Sequence, residues 1–267
     1  MPKVKAGNVT LNYDQQGSGE PLILIPFLTA DHACYAFQVA DYAKHFTCIS
    51  LDLRGTGESD SPPQCYSTEQ LADDVAAFMR ALGIPKAHIA GLSLGAATGM
   101  WFAAKYPAMV SSLSLHSGWT KSDPFLRTVI QSFQIAAKAL NSVPEMVVQV
   151  LFPWCFTPEL YAEKPDYIQQ LGDFVRSRPA QSVAAFMLQS DCVINHDVEA
   201  QLGRIAAPTL ITVGRFDLVT NRFADRMQKG IRGSELVVFE DCSHAPIYQK
   251  VAEFNEKTLQ FLKRHVN

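Results

Sequence analysis

The chain has no run of about 18 apolar residues, so no membrane-spanning helix is expected. It has no excess of positive charge either. Lysine and arginine number 23 against 26 aspartates and glutamates, for a net charge of −3. That excludes the electrostatic footprint of a nucleic-acid binder. The first residues, Met1-Pro2-Lys3-Val4-Lys5, lack the apolar core of a secretory leader, which points to the cytoplasm. The six cysteines (Cys34, Cys48, Cys65, Cys155, Cys192 and Cys242) form no C-x-x-C pair and no metal-type spacing. In a chain of 267 residues they read as buried thiols outside any disulfide framework. No group of histidines and carboxylates has metal-ligand spacing, and no metal or cofactor is expected. There is no internal repeat and no low-complexity segment.

What is present is a large apolar fraction, 48%, ample for one substantial core. Its patterning alternates strands with helices. Residues 8–13 alternate and read as a first strand. Leu22-Ile23-Leu24-Ile25 is a continuous apolar run, as expected for a strand buried on both faces of a parallel sheet. Residues 35–45 look helical, and 46–51 form the next buried strand. A helix opens at Ser67-Thr68-Glu69-Gln70 with capping-box spacing and stops at Gly83. Further strands are predicted at 87–90, 110–115, 208–214 and 236–239. A helix follows near 221–229, and a closing amphipathic helix spans 246–266. Between about 120 and 204 the apolar residues recur at helical spacing with no clear strand. The expectation is an α/β protein with a mostly parallel central sheet flanked by helices. Its core would comprise 1–119 and 201–267, with 120–200 inserted as a helical cap above the carboxyl ends of the strands.

One stretch carries chemistry: Gly91-Leu92-Ser93-Leu94-Gly95. It reads G-x-S-x-G between a strand and a helix, the context of a nucleophile elbow. A bare match of this kind recurs by chance, so the rest of the chain must decide. A serine is a weak nucleophile until a base takes its proton, so an acid and a histidine should follow downstream. Asp217 stands just past a buried strand in Val213-Gly214-Arg215-Phe216-Asp217, and His244 just past the last strand in Cys242-Ser243-His244-Ala245-Pro246. Ser93 is the candidate nucleophile, His244 the base and Asp217, rather than Asp241, the group that orients the imidazole.

These segments, together with Asp52-Leu53-Arg54-Gly55-Thr56-Gly57-Glu58-Ser59, make the chain resemble the α/β-hydrolase fold superfamily over its whole length. Gly55-Thr56-Gly57 and Gly118-Trp119 make it look most like small-metabolite ester and lactone hydrolases. These include the 3-oxoadipate enol-lactonases and the aminoacrylate hydrolases of pyrimidine degradation. The resemblance implies an oxyanion hole made by the N–H groups of Leu28 and Leu94, and a pocket touched by Phe27, Trp119 and Trp154. The chain departs from the family pattern at one point. Family members usually carry His-Gly after the third strand, where this chain has Pro26-Phe27. Proline removes one backbone donor and the missing glycine stiffens the turn, so the hole is reshaped or its first donor comes from Phe27.

The leading expectation is a serine hydrolase acting on a small ester or lactone through an acyl-enzyme, without a cofactor. Carbon–carbon bond hydrolysis by the same three residues is one rival. A ligand-binding protein with an idle triad is another, kept open by Pro26-Phe27. A halide-releasing enzyme would carry aspartate where Ser93 stands and is excluded. The expected partner is a small-molecule substrate, with no nucleic acid and no membrane; a homo-oligomer is left open. Other residues have ordinary readings. His32 reads as a solvent-facing loop histidine, Asp191 and His196 as surface groups, and Arg215 as a solvated cation. His116 is either a pocket-floor residue or a packed core histidine. Trp119, Trp154 and Phe156 could equally be packing of the cap. Asp52 to Gly55 reads as structural. Gly55-Thr56-Gly57 lacks the third glycine and acidic partner of a dinucleotide site.

Overall fold

The structure, a computed structural model, describes residues 1–64 and 66–266; Cys65 lies outside the described residues. Its strands are β1 (Lys3–Ala6), β2 (Val9–Gln16), β3 (Glu20–Ile25), β4 (Phe46–Leu51), β5 (Ala87–Leu92), β6 (Val110–His116), β7 (Thr209–Gly214) and β8 (Glu235–Phe239). They form one eight-stranded sheet in the order β1-β2-β4-β3-β5-β6-β7-β8. The β1–β2 and β2–β4 pairs are antiparallel, and every pairing from β4 through β8 is parallel. The flanking helices are α1 (Ala36–Tyr42), α2 (Thr68–Ala81), α3 (Leu94–Lys105), and, after an inserted block, α10 (Ala224–Gly230), α11 (Pro246–Gln249) and α12 (Val251–Lys263). The inserted block lies between β6 and β7. It consists of α4 (Pro124–Leu140), α5 (Val143–Met146), α6 (Phe152–Cys155), α7 (Pro158–Glu163), α8 (Pro165–Ser177) and α9 (Val183–Ile194).

The continuous apolar runs are explained by two-sided burial. Successive side chains of a strand point to opposite faces. Ile23, Ile25, Ile49, Ile89, Leu113 and Ile211 therefore join the cluster under α2 and α3. Their neighbours Leu22, Leu24, Cys48, Ala90, Leu92 and Leu210 join the cluster under α1 and α12. Parallel register aligns Ile25 with Gly91, Gly91 with Leu115, and Leu115 with Ile211. The loops leaving β3, β5, β7 and β8 consequently open at one edge of the sheet.

Three elements differ from the sequence reading. The strand expected first is β2. Strand β1 precedes it across a turn at Gly7, and only its Ala6 is buried, so it carries no apolar signature and exists through pairing with β2. The segment at 35–45 divides into a 3-10 turn, His32–Tyr35, and the shorter α1. The closing helix breaks at Lys250, whose φ of −129° is not helical. Ser67 does accept from the Gln70 amide, but the Gln70 side chain turns to Asp74, so only half of the capping box forms. No helix among the described residues is long and apolar enough to cross a membrane. Cys34, Cys48, Cys155, Cys192 and Cys242 are all buried.

The glycine-rich loop after β4 is a structural hub. Asp52 accepts from Asn12 Nδ2 at 2.8 Å and from the Glu58 amide at 3.0 Å. A Cβ on Gly57 would stand 2.1 Å from the Asp52 carboxylate, so no larger residue fits. Beside it, Arg54 makes a two-pronged bond to Asp74, Nε to Oδ2 at 2.5 Å and Nη2 to Oδ1 at 2.6 Å, with both side chains buried. Removing one member leaves the other as an uncompensated buried charge. Asp74→Ala should lower the unfolding free energy by about 3–5 kcal/mol in equilibrium urea denaturation. Replacing both residues with leucine should recover much of the loss. A loss under ~1 kcal/mol for the single change would mean that Arg54 finds solvent.

Candidate active site

Ser93 lies between the last residue of β5 and the first of α3. Its φ of 53° and ψ of −114° are strained for a residue with a side chain. The turn is held by its neighbours: the Ser93 amide donates to His116 O at 2.8 Å, and Ser93 O accepts from the Ala97 amide at 3.0 Å. The flanking glycines are sterically required. A Cβ on Gly91 would lie 2.2 Å from Gly95 O, and one on Gly95 would lie 2.1 Å from Ile25 O. The serine side chain is left projecting over the strand edge, half-buried.

The loops after β7 and β8 bring the other two residues to it. His244 Nε2 is 3.0 Å from Ser93 Oγ, and His244 Nδ1 is 2.9 Å from Asp217 Oδ2. Asp217 is fully enclosed and densely supplied with donors. Its Oδ1 accepts from the amides of Val219 and Thr220 at 2.8 and 2.9 Å, and its Oδ2 accepts from Thr220 Oγ1 at 2.5 Å. Burial by itself would raise its pKa. The neighbouring imidazole and the Thr220 bonds outweigh burial and hold the carboxyl below its usual value. Asp241, by contrast, has a side chain 86% exposed, with Lys250 at 3.6 Å as its ion-pair partner.

A cavity of about 120 Å³ lies over Ser93 and His244, lined mainly by apolar side chains. Phe27, Leu28, Trp119 and Trp154 all line it, with Phe133, Val147, Phe156 and Tyr248. Trp119 has a second role: its Nε1 donates to Ser122 Oγ at 2.9 Å and its ring packs on the edge of His196. Trp154 is half-buried between Phe125 and Phe133. The Val147–Leu151 stretch of the wall is a single π-helical turn, a distortion often found at functional sites. Leu94 is buried at the N-terminus of α3, and Leu28 is buried in the loop after β3. Tyr248, Phe152 and Leu171 escaped notice in the sequence because nothing separates an apolar residue facing a cavity from one facing the core.

Two histidine readings need correction. His32 is buried: its ring Nδ1 meets Asp52 Oδ1 at 2.7 Å, and its amide donates to the same oxygen at 2.6 Å. Its position in a loop suggested exposure, but the Asp52 hub draws it inward. His196 is also buried, between Thr68 Oγ1 and Trp119 O, and burial pushes its pKa down to about 4. His116 proves to be packed, bonded to Thr212 and edge-on to Phe254, with its pKa lowered to about 3 by burial. Arg215 is half-exposed, paired to Glu240. Asp191 accepts from Gln134 Nε2 at 2.8 Å.

Among the described residues, one trio brings ligand-type atoms within 4.8 Å of one another: Asp31, His32 and Asp52. Their atoms are engaged with each other and with Arg178, which bonds Asp31 Oδ2 at 2.8 Å and approaches His32 Nε2 at 3.3 Å. Arg178 pairs with Asp31 and His32 pairs with Asp52, so the trio forms part of an ion-pair network.

A mostly parallel sheet with serine, imidazole and carboxylate gathered at its carboxyl edge, beneath helices, is the framework of a hydrolase. The chain belongs to the alpha/beta hydrolase fold family, which matches residues 20–251. The 3-oxoadipate enol-lactonase 2 of Acinetobacter baylyi is 28% identical over 97% of this chain and 95% of its own. The structure of the enol-lactonase from Burkholderia xenovorans LB400 superposes with a TM-score of 0.88 at 24% identity, covering 98% of this chain and all of that one, 100%. A thermophilic esterase from Thermogutta terrifontis superposes at 0.86 with 23% identity, covering 100% and 99% of the two chains.

The His32–Asp52 pair predicts a pH signature. Burial alone would lower the imidazole pKa, but the Asp52 bond and charge, helped by Asp31, raise it above 6.5 against the opposing Arg178. Asp52 itself, despite burial, is lowered by His32 and the Glu58 amide. A raised histidine contributes stability that is fully present below about pH 6.5 and is lost as pH rises through the folded-state value. The Tm advantage of wild type over His32→Gln should therefore shrink as the pH is raised from below about 6.5 into the alkaline range. A constant difference across that range would show that the pair is not ionic.

Proposed function

We propose that this protein is a serine hydrolase that cleaves a small, largely apolar ester or lactone through an acyl-enzyme. The observation that carries the reading is the unbroken relay Ser93–His244–Asp217, with contacts of 3.0 and 2.9 Å, opening on an apolar cavity. The similarity to an enol-lactonase supports a compact carbonyl substrate.

The chemistry follows from the groups. Ser93 Oγ attacks the carbonyl carbon as His244 Nε2 takes its proton, and the carbonyl π electrons move to oxygen. Asp217 keeps the imidazole in the tautomer that presents a bare Nε2 and stabilises the imidazolium that forms. The Leu28 and Leu94 amides donate to the oxyanion; Leu94 opens α3, whose N-terminal partial charge adds to the effect. The carbonyl reforms and expels the alkoxide, which leaves with the His244 proton. With a lactone the leaving alkoxide stays tethered to the acyl group. Water then repeats the sequence, with His244 as base, and frees the acid and Ser93. The cavity lining is mainly apolar, so each of these charges acts in surroundings of lower dielectric than water. The helical block, residues 120–200, serves as the lid that sets substrate size.

Ser93→Ala should abolish labelling by a fluorophosphonate probe and lower kcat on p-nitrophenyl esters by at least about 10⁴-fold, with circular dichroism unchanged. Retention of more than a few per cent of activity in contaminant-free protein would sink the assignment. Asp217→Asn should cost on the order of 10⁴ in kcat by favouring the wrong tautomer, while Asp241→Asn stays within about twofold of wild type. The reverse ranking would exchange their roles. Trp154→Ala should shift preference toward longer acyl chains. If that variant melts early with unchanged chain preference, Trp154 belongs to the packing of the lid.

A further inference from the structure

The loop after β3 carries Leu28, and its shape is not self-sufficient. The Ala30 amide donates to Phe27 O at 3.1 Å, closing a tight turn. The third residue of that turn is Thr29, at φ of 71°. Glycine is the usual occupant of such a position, and a β-branched residue there must be held by its surroundings. What holds it comes from the other side of the cavity. The Thr29 amide donates to Gln189 Oε1 of α9 at 3.1 Å.

Gln189 is entirely buried, and its two halves are used unequally. Its Oε1 accepts from Thr29 and also from Gln181 Nε2 at 3.2 Å, which in turn donates to Gly55 O at 2.8 Å. Its Nε2 has no partner among the described residues. A buried amide with an unsatisfied donor is unfavourable, so it is the acceptor that gives the side chain its function. The far end of the loop is fastened from the same block, by Arg178 to Asp31.

We propose that Gln189 is a positioning residue for the oxyanion hole, holding the left-handed Thr29 so that the adjacent Leu28 N–H faces the developing oxyanion. The role rests on the hydrolase reading above. It replaces the conformational freedom that a glycine would supply with a hydrogen bond delivered by the helical block, so the hole is fully formed only while that block is seated.

The test uses full-length wild type, Gln189→Met, Gln189→Glu and the double variant Gln189→Met/Thr29→Gly, with p-nitrophenyl butyrate as substrate and an alkyl trifluoromethyl ketone as inhibitor. The ketone forms a tetrahedral oxyanion on serine and therefore reports the hole directly. Methionine keeps the volume and removes the acceptor. It should lower kcat about tenfold or more with KM within about twofold, and weaken ketone inhibition by a similar factor. Glutamate keeps the acceptor oxygen but places an ionisable group in a fully buried position, so it should recover kcat only in part, to a value clearly above that of the methionine variant. Glycine at position 29 adopts the positive φ unaided and should restore part of the loss in the methionine background. Amide exchange of a peptide spanning 27–31 should accelerate in Q189M and not in Q189E. Unchanged kcat and ketone inhibition in Q189M would overturn the proposal. So would equal losses in Q189M and Q189E with no rescue by glycine, which would mark Gln189 as packing alone. Wild type that neither turns over the ester nor takes up a fluorophosphonate overturns the hydrolase reading itself, a result distinct from an active wild type indifferent to position 189.

Discussion

The close approach of three backbones at Gly91 and Gly95 is the constraint on which the rest depends. The turn between β5 and α3 is pressed against itself and against the end of β3, with no room for a Cβ at either glycine. That contact makes Ser93 adopt its strained φ and ψ, starts α3 directly behind the serine, and sets the loop after β3 alongside it. A methyl group at Gly95 would push the turn away from the end of β3 and the loop that carries Leu28, and one at Gly91 would push the start of α3 away from β5. The strain is sustained by a sheet whose strands on both sides are buried and in parallel register, so the turn has nowhere to relax.

The helical block does more than cover the site. Ser243 Oγ donates to Trp154 O, and the Ala245 amide donates to Cys155 O, so the residues on either side of His244 are tied to α6. Thr29 and Asp31 are tied to α9 and to the segment before it. The loops that present the imidazole and the Leu28 amide thus share one support, which also supplies most of the apolar wall. This arrangement couples substrate enclosure to the geometry of the groups that would act on it.

Around the loop after β4 lies a polar layer that a purely hydrophobic account would miss. Asp52 gathers Asn12, His32 and Glu58, and Arg54 is clasped by Asp74. The buried side chains of Asn12, His32, Asp52, Arg54 and Asp74 would each be costly to bury alone. Together they fix the loop after β4, onto which Gln181 hangs through Gly55 O. The layer links the antiparallel edge of the sheet to the helical block.

The alternation of strands and helices was legible in the sequence because two-sided burial leaves continuous apolar runs. The G-x-S-x-G turn was legible because only glycine tolerates that approach of backbone. Strand β1 was not, since its register comes from a partner strand and not from its own pattern. His32 and His196 read as exposed because local sequence records neither the Asp52 hub nor the fold of residues 183–198 against Thr68. The residue types at positions 93, 217 and 244 were determined by the sequence alone. Their meeting within hydrogen-bond distance, 151 and 27 residues apart along the chain, was decided by strand order and parallel register, which bring distant strand ends to one edge. Gln189 is the extreme case. Nothing around it in α9 marks it out, and its bond to Thr29 spans 160 residues. Such a contact exists only once the helical block has packed over the sheet, because the free energy of a buried polar bond depends on the enclosure that tertiary structure creates.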